Sequence, residues 1–317
     1  MKVMTITLNP ALDLEYIIEN FHTNSFFRID EPVALPGGKG INVSLFLAGL
    51  GIESIAIGFL GGFVGNLLEE SLRKVSDNIY TNFVRVESET RQDITIVDPV
   101  NDSITEINSK GPDITENELN MFHKRLSTVL NYVDIVVASG SLPNIPKKHK
   151  AYLEIAEKVC EAGKIFISEC SSEYIEDLVE TGCITVARPD LRGKEKLFGK
   201  KLISYKDYID SAKYIVDKGT ELAILSYHIR GDIIATKEGV WLFSTKKKIE
   251  KSHLLGAGDS YIAGVVYYLM NYDKNYFEAA KFGMSSAMAQ SESLGKELFT
   301  LEKIEEYKNS FVVERLE

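Results

Sequence analysis

Residues 134–168 read DIVVASGSLPNIPKKHKAYLEIAEKVCEAGKIFIS and contain one strand–helix–strand unit. Asp134–Ala138 and Lys164–Ser168 are short apolar runs, which are typical of parallel strands buried on both faces. The stretch between them, Lys147–Cys160, is predicted to be a helix. The unit therefore predicts an α/β fold built on a parallel sheet.

Similar units follow one another through most of the 317 residues. Thr115 followed by Glu118 has the pattern of a capping box, which marks the start of a helix. The other predicted strands are Lys2–Leu8, Ser54–Phe59, Ile184–Ala187 and Leu222–Ser226, and the other predicted helices are Gly40–Leu50, Gly65–Lys74 and Thr115–Leu130. We therefore predict a mostly parallel central sheet with helices on both faces.

Two stretches in the first third interrupt this alternation. Asp13–Leu35 and Thr81–Ile107 have strand patterns without helices, and Pro99–Asp102 has the composition of a hairpin turn. We expect residues 13–35 and 81–107 to form a small β-sheet lid, inserted into a single domain that spans residues 1–317.

Composition excludes several classes of protein. Hydrophobic residues make up 44% and charged residues 26% of the chain, which is ordinary for a globular protein. The net charge of −10 disfavours nucleic acid as a partner. No apolar run approaches the length of a membrane span, and the first residues lack the pattern of a signal peptide. The three cysteines have no CxxC spacing, which argues against zinc and for a reducing compartment, so we expect a cytoplasmic protein.

The strongest chemical motif is Gly256-Ala257-Gly258-Asp259, followed by an apolar stretch with helical spacing. The first amides of a helix and its dipole stabilise an anion. A carboxylate at the same end, Asp259, could accept a proton from a hydroxyl that attacks that anion. The alternative is a glycine-rich turn in which Asp259 caps the helix.

A second motif, Pro36-Gly37-Gly38-Lys39-Gly40-Ile41-Asn42, also precedes a predicted helix. Lys39 could hold a phosphate, and Asn42 could bond a hydroxyl. The motif is not a Walker A loop, because no Ser or Thr follows Lys39, and it lacks the dinucleotide fingerprint. A plain turn is the alternative, but it would not require three glycines and a lysine.

Three single residues follow or begin predicted strands, where open α/β sheets bind ligands. Asp13 could accept sugar hydroxyls, Arg91 could bind a phosphate with its guanidinium group, and Ser139 ends a buried strand. The structural alternatives are a turn for Asp13, a surface salt bridge for Arg91 and a turn for Ser139.

Together these motifs resemble the ribokinase-like (PfkB) carbohydrate kinase family, and more narrowly its branch of 1-phosphofructokinases and tagatose-6-phosphate kinases. The resemblance covers nearly the whole chain. Seven motifs occur in the family's order: TITLNPALD at Thr5–Asp13, PGGKGINVS at Pro36–Ser44, GFLGGFVG at Gly58–Gly65, TR at Thr90, TEIN at Thr105–Asn108, SGSLP at Ser139–Pro143 and GAGDS at Gly256–Ser260.

The resemblance implies an ATP- and Mg²⁺-dependent kinase that phosphorylates a hydroxyl of a ketohexose phosphate, either fructose 1-phosphate or tagatose 6-phosphate. Asp259 would be the general base, and the amides of Gly256, Ala257 and Gly258 would form the anion hole. The lid would close over the sugar and could pair two subunits into a homodimer. The acceptor would be held by Asp13, Gly37, Gly38, Lys39, Asn42, Arg91, Ser139 and Arg28, the cations among them binding its phosphate.

The resemblance also implies a nucleotide site, where this sequence departs from the family pattern. That site would comprise Arg188, Asp190, Ser226, His228, Arg230, Gly231 and Gly258. The family usually has Lys-Pro-Asn where this chain has Arg188-Pro189-Asp190, a Glu at Gly193, a Gly at His228 and a Thr at Leu254. The metal ligands are not predicted.

Two further hypotheses follow from these departures. The chain could be a catalytically impaired sensor that binds a sugar phosphate or a nucleotide on the same fold. It could also be a kinase for an unphosphorylated sugar or a nucleoside, but Lys39 and Arg91 argue against a neutral acceptor. Asp259 and its two flanking glycines favour the active sugar-phosphate kinase.

Overall fold

The computed structural model describes residues 2–192, 195–227, 231–245, 254–292 and 300–317. In chain order, the strands are β1 (Val3–Thr7), β2 (Ala11–Ile17), β3 (Val33–Gly37), β4 (Ser54–Gly61), β5 (Ile79–Thr81), β6 (Val84–Val86), β7 (Arg91–Asp98), β8 (Ser103–Asn108), β9 (Ile135–Ser139), β10 (Ile165–Glu169), β11 (Val186–Ala187), β12 (Lys196–Leu197), β13 (Lys200–Lys201), β14 (Leu222–Tyr227), β15 (Gly231–Thr236), β16 (Gly239–Thr245) and β17 (Phe311–Arg315). The α-helices are α1 (Lys39–Gly49), α2 (Gly62–Val75), α3 (Glu116–Val129), α4 (Ala151–Glu161), α5 (Ser172–Glu180), α6 (Tyr205–Asp217), α7 (Ala257–Asn271), α8 (Tyr276–Gln290) and α9 (Leu301–Tyr307). Two short 3₁₀ helices span Leu130–Tyr132 and Lys148–Lys150.

The large sheet has eleven strands in the order β17-β16-β15-β14-β11-β10-β9-β1-β4-β5, with β6 also paired to β4. All pairs from β14 to β5 and β6 are parallel, whereas β15, β16 and β17 extend the sheet in antiparallel fashion. The prediction of a mostly parallel central sheet is therefore confirmed.

Alternate residues of the central strands serve two cores, because successive side chains in a strand point to opposite faces. On β9, Val136 and Ala138 pack in one core with α3, α4, α5 and α6. Ile135 and Val137 pack in the other core with α1, α7, α8 and α9. Helices thus cover both faces of the sheet, as the continuous apolar strands predicted.

The capping box at the start of α3 is confirmed. Thr115 Oγ1 accepts the Glu118 amide, and the Glu118 carboxylate accepts the Thr115 amide. These contacts satisfy two of the amides that an α-helix leaves unpaired at its N-terminus.

A separate four-stranded sheet has the order β3-β2-β7-β8, with the hairpin between β7 and β8 where the turn was predicted. We call this sheet the lid. It differs from the predicted segments in two respects. It begins at Ala11, two residues before Asp13, and Val84–Val86 pairs with β4 of the large sheet and not with the lid.

Cys160 at the end of α4 and Cys183 before β11 form a disulfide, with Cα atoms 5.5 Å apart. The absence of CxxC spacing was an argument for a reducing compartment, and this pair does not support that argument. Cys170 is a buried free thiol, and burial raises its pKa to about 12. No helix in the described parts of the chain is long and apolar enough to cross a membrane.

Candidate active site

The site forms where β1, β9, β10 and β11 end at the same edge of the large sheet, beside the N-terminus of α7. Gly256 precedes α7 in the left-handed conformation, with φ of 76°, which favours glycine. Asp259 therefore lies in the first turn of the helix and does not cap it. The residue is 7% exposed, and Asn42 Nδ2 donates to Asp259 Oδ2 at 2.6 Å.

Asp259 lies between two cavities. One has a volume of about 510 Å³ and is bounded partly by the lid, and we call it the acceptor cavity. The other, of about 390 Å³, lies between α7, α8 and the segment after β11, and we call it the nucleotide cavity. The residues that line both cavities are Lys39, Asp190, Arg192, Gly256 and Asp259.

Five of the eight predicted acceptor residues line the acceptor cavity: Asp13, Gly38, Lys39, Asn42 and Arg91. The other three do not. Gly37 lies against the Asp13 carboxylate, and Ser139 is buried, with Gly140 and Ser141 lining the cavity in its place. Arg28 is exposed between β2 and β3, 5.7 Å from the ring of Phe26.

Arg91 is held at the wall of the acceptor cavity. Its guanidinium group donates to the Asn9 carbonyl at 3.1 Å and to the Ser109 carbonyl at 3.1 Å, and it pairs with Asp93 at 2.7 Å. Burial raises the pKa of Asp93, although Arg91 acts in the opposite direction. Part of the charge of Arg91 is therefore balanced within the protein.

The nucleotide cavity is lined by Arg188, Asp190, Ser226, Gly231 and Gly258, and also by Leu254. His228, Arg230 and Gly193 lie outside the described residues. Of the three amides in the predicted anion hole, that of Ala257 donates to the Leu254 carbonyl at 3.2 Å.

Glu169, at the end of β10, connects the cations between the two cavities. Its Oε1 atom accepts from Lys39 Nζ at 2.7 Å and from Arg188 Nη1 at 2.8 Å, and Lys39 Nζ also contacts Asp190 Oδ2 at 2.8 Å. Burial alone would raise the pKa values of both carboxyls, but the neighbouring cations more than offset this and lower them. The site therefore holds paired charges at neutral pH.

Arg188 continues this network into the nucleotide cavity. Its Nη2 atom donates to Ser226 Oγ at 3.1 Å, and Ser226 Oγ donates to Asp232 at 2.9 Å. A Cβ atom on Gly258 would lie only 2.6 Å from Arg188 Nη1, so the close approach of the guanidinium group requires glycine at this position.

Sequence reasoning did not assign several residues that line the acceptor cavity. These are Asn9, Lys110, Lys148 and Arg192. Asn9, Lys110 and Arg192 lie in segments between regular elements, where no periodic pattern distinguishes a lining side chain from a surface one. Lys148 lies at the start of a 3₁₀ helix, within the predicted helix Lys147–Cys160. The only sequence signal for Arg192 was its position in the stretch from Arg188 to Gly193, where this chain differs from the family's nucleotide motif.

Several buried polar atoms at the site have no hydrogen-bond partner among the described residues. They are Asn42 Oδ1, Glu169 Oε2 and Tyr261 OH. Buried polar groups normally have partners, so these atoms are positions where water or a polar ligand can bind. Within the described ranges, no group of three or more His, Cys, Asp or Glu side chains is placed to hold a metal ion by itself.

A mostly parallel α/β sheet, a small lid and a helix N-terminus between two cavities define a small-molecule kinase of the ribokinase-like class. Residues 10–302 match the pfkB family carbohydrate kinase. The chain is similar to two proteins named 1-phosphofructokinase. That from Borreliella burgdorferi is 33% identical over 90% of this chain and 91% of its own length, and that from Bacillus subtilis is 32% identical over 96% and 98%.

Among solved structures, that of a possible 1-phosphofructokinase from Thermotoga maritima is 42% identical, covers 100% of both chains and has a TM-score of 0.97. This chain belongs to the pfkB family of carbohydrate kinases. It is an enzyme that transfers a phosphoryl group from ATP to an alcohol group.

Proposed function

We propose that this enzyme, an ATP-dependent sugar-phosphate kinase, transfers the γ-phosphoryl group of ATP to fructose 1-phosphate. The position of Asp259, which lines both cavities at the N-terminus of α7, carries the proposal. A sugar hydroxyl on one side and the γ-phosphate on the other would meet beside this carboxylate. The names of the three relatives favour fructose 1-phosphate over tagatose 6-phosphate as the acceptor.

On the acceptor side, Asp13, Gly38 and Asn42 hold the sugar hydroxyls. The Asn42 amide donates to Asp259 and so fixes the carboxylate that receives the proton of the attacking hydroxyl. Arg91 contributes to binding the phosphate already on the sugar, as charge-assisted hydrogen bonds from a guanidinium group favour such a group. Lys39 binds the phosphoryl group during its transfer, because it lines both cavities.

On the donor side, the amides of Gly256 and Gly258 face the charge that develops during transfer, with the positive end of the α7 dipole behind them. Arg188 binds the donor phosphates. Leu254, Met284 and Met288 supply apolar surface for the nucleoside part of ATP. Positioning and electrostatic stabilisation account for most of phosphoryl transfer, so this small set of side chains is sufficient.

We propose Mg²⁺ as the second cofactor, bound mainly to the ATP phosphates. Kinase sites hold this ion with one or two carboxylates plus substrate oxygens, and the unpartnered Glu169 Oε2 together with Asp190 fits that pattern. The ion would neutralise charge on the phosphates. Glu169 and Asp190 would orient its waters while remaining paired with Lys39.

The test is a coupled assay of ADP release with ATP and Mg²⁺, using fructose 1-phosphate, tagatose 6-phosphate and fructose 6-phosphate in parallel. We expect fructose 1-phosphate to give the highest kcat/KM. Asp259→Asn should lower kcat by about 10²–10⁴-fold, the usual contribution of a general base.

Asp273→Asn is the matched control, because this residue follows the other end of α7, where its carboxylate accepts from Tyr268. The control should retain wild-type turnover. Binding of ATP and sugar phosphate without turnover of any acceptor would instead support the sensor hypothesis. Faster turnover of free fructose or of a nucleoside would support a neutral acceptor.

We also propose a homodimer formed through the lid. Ile17, Val33 and Ile107 on the lid sheet are all more than half exposed, and Phe26 between β2 and β3 is 84% exposed. Exposed apolar surface of this kind favours a protein interface. Sedimentation velocity should give a dimer for the wild type and a monomer for Ile107→Asp, and a wild-type monomer at all concentrations would exclude the proposal.

We propose a cytoplasmic location, where ATP and sugar phosphates are available. The cytoplasm keeps most thiols reduced, so we expect Cys160 and Cys183 to be thiols in the cell. Alkylation of freshly lysed cells followed by mass spectrometry should label both residues, and an unlabelled pair would contradict a reducing location.

A further inference from the structure

Three of the five cations that line the acceptor cavity are balanced by carboxylates. Lys39 pairs with Glu169 and Asp190, and Arg91 pairs with Asp93. Arg192 binds Asp190 through two nitrogen atoms, each at 3.0 Å. A dianionic ligand would therefore have to compete with a carboxylate for each of these groups.

The other two cations, Lys110 and Lys148, have no ion-pair partner among the described residues, although both line the cavity. Glu106 and Glu173 are carboxylates at the same cavity, but neither forms an ion pair with these lysines within the described parts of the chain. Lys110 and Lys148 are thus the two cations at this cavity that form no ion pair within the described parts of the chain.

The two lysines come from different parts of the fold that are joined at the cavity. Lys110 follows β8 of the lid, and Lys148 begins the 3₁₀ helix after β9. Asn9 connects their segments, because its Nδ2 atom donates to the Lys110 carbonyl at 3.4 Å and to Ser141 Oγ at 3.0 Å.

A backbone bridge strengthens this connection. Asp113 and Asn144 form an isolated parallel bridge, in which the Ile114 amide donates to the Asn144 carbonyl at 2.8 Å and the Asn144 amide donates to the Pro112 carbonyl at 3.1 Å. The backbones that carry the lysines are therefore held together before any ligand binds, which reduces the entropy cost of binding.

We propose that Lys110 and Lys148 bind the phosphate already present on the acceptor and determine the preference for a phosphorylated sugar. The inference rests on the proposed function and adds the residues that distinguish a sugar phosphate from a free sugar. A lysine ammonium binds phosphate as a point charge, and two of them match a dianion. Because this phosphate is not the reacting group, its binding energy should act mainly on KM.

The experiment compares Lys110→Gln and Lys148→Gln with the wild type, using fructose 1-phosphate and unphosphorylated fructose. Each variant should raise the KM for fructose 1-phosphate about tenfold, the size of one charge-assisted hydrogen bond, and leave kcat within about twofold. The KM for ATP and the kcat/KM for fructose should not change. If the two effects add, the double variant should raise the KM for fructose 1-phosphate about a hundredfold.

Lys150→Gln is the matched control, because it removes the same charge from the same 3₁₀ helix at a residue that does not line the cavity. An unchanged KM in both single variants, or an equal rise in the control, would overturn the proposal. Absence of turnover with every sugar phosphate in the wild type would overturn the proposed function. Calorimetric titration with fructose 1-phosphate, without ATP, then tests the two lysines independently of turnover. Tighter binding by the wild type than by the variants supports their role in binding the phosphate. Equal binding, or no binding by the wild type, overturns that role.

Discussion

The two cavities on either side of Asp259 differ in whether their cations are paired with other groups of the protein. In the acceptor cavity, Lys110 and Lys148 have no balancing carboxylate among the described residues. In the nucleotide cavity, Arg188 is already bound to Glu169 and Ser226. One side therefore has two cations that form no ion pair among the described residues, whereas Arg188 on the other side is already paired.

This difference explains how the nucleotide motif could change without loss of the site. Arg188 in place of lysine is longer and carries more donors, and it reaches Glu169 and Ser226 at once. Asp190 in place of asparagine adds a negative charge, and Arg192 and Lys39 balance it. The substitutions are thus consistent with one another, but ATP has to exchange partners with groups that are already paired.

Among the variants of the paired charges, the largest effect should follow removal of Lys39, which lines both cavities. Lys39→Met removes the cation that Glu169 and Asp190 share. Arg188 and Arg192 still pair with these carboxylates, so the cost should be below the about 3–5 kcal/mol typical of a buried charge left without a partner. Urea unfolding should show this loss of stability, and kcat should fall about 100-fold because a cation near the transferring group is lost.

The control for this variant is the double substitution Lys39→Met with Glu169→Gln, which removes a charge of each sign. It should recover part of the stability, although not the activity. Wild-type stability in the single variant would mean that the paired charges between the cavities contribute nothing to folding.

A smaller effect, confined to one cavity, should follow Gly258→Ala. The new Cβ atom would lie 2.6 Å from Arg188 Nη1 and displace the guanidinium group from Glu169 and Ser226. We expect the KM for ATP to rise about tenfold, equivalent to about 1.4 kcal/mol, with the KM for the sugar phosphate unchanged.

Arg188→Lys in the same background tests the cause, because the smaller ammonium group leaves room for the methyl group. The double variant should recover a wild-type KM for ATP. An equal rise in the KM values of both substrates would show that the two cavities are not separable.

The smallest effect should come from Asp93→Asn, which releases Arg91 from its carboxylate partner. The KM for fructose 1-phosphate should fall by about twofold to fivefold at pH 8, equivalent to about 0.4–1 kcal/mol, because the buried Asp93 carboxylate no longer competes with the dianion for Arg91. Burial raises the pKa of Asp93, so the wild-type carboxyl takes up a proton as the pH falls towards that pKa. The ratio of wild-type to variant KM should therefore move towards one as the pH is lowered from 8.

The pH dependence of stability in the wild type and in Asp93→Asn provides a second measure of how Asp93 titrates. A carboxyl whose pKa is raised by folding binds more protons in the folded state, so the wild type loses stability as the pH rises through the interval between its unfolded and folded pKa values. The variant should lack this slope. A KM ratio that does not depend on pH would show that Asp93 does not control Arg91.

Much of the fold was predictable because its signals are local. The apolar strand Asp134–Ala138 is found as β9, one residue later, and the Thr115 capping box is formed as its spacing predicted. Val84–Val86 was expected in the lid but pairs with β4, because a three-residue strand fits either sheet and only tertiary packing selects one. The disulfide between Cys160 and Cys183 likewise depends on how α4 and the segment before β11 are brought together.

The site was predictable where glycines, a helix start and a carboxylate coincide, as at Gly256–Asp259. Arg28 was assigned from resemblance alone, and it lies exposed outside both cavities. Lys110 and Lys148 are separated by 37 intervening residues, and only the folded chain brings them to one cavity. Charge balance was also unpredictable, since the partners of Lys39 lie 130 and 151 residues away.

The position of β1 has a consequence for how the protein is made. This strand is synthesised before both of its neighbours, because it pairs on one side with residues 54–58 and on the other with residues 135–138. At a synthesis rate of about 5–20 residues per second, its second neighbour arrives on the order of ten seconds later. Until then an apolar strand has an open edge, and such an edge favours aggregation of the nascent chain during that interval.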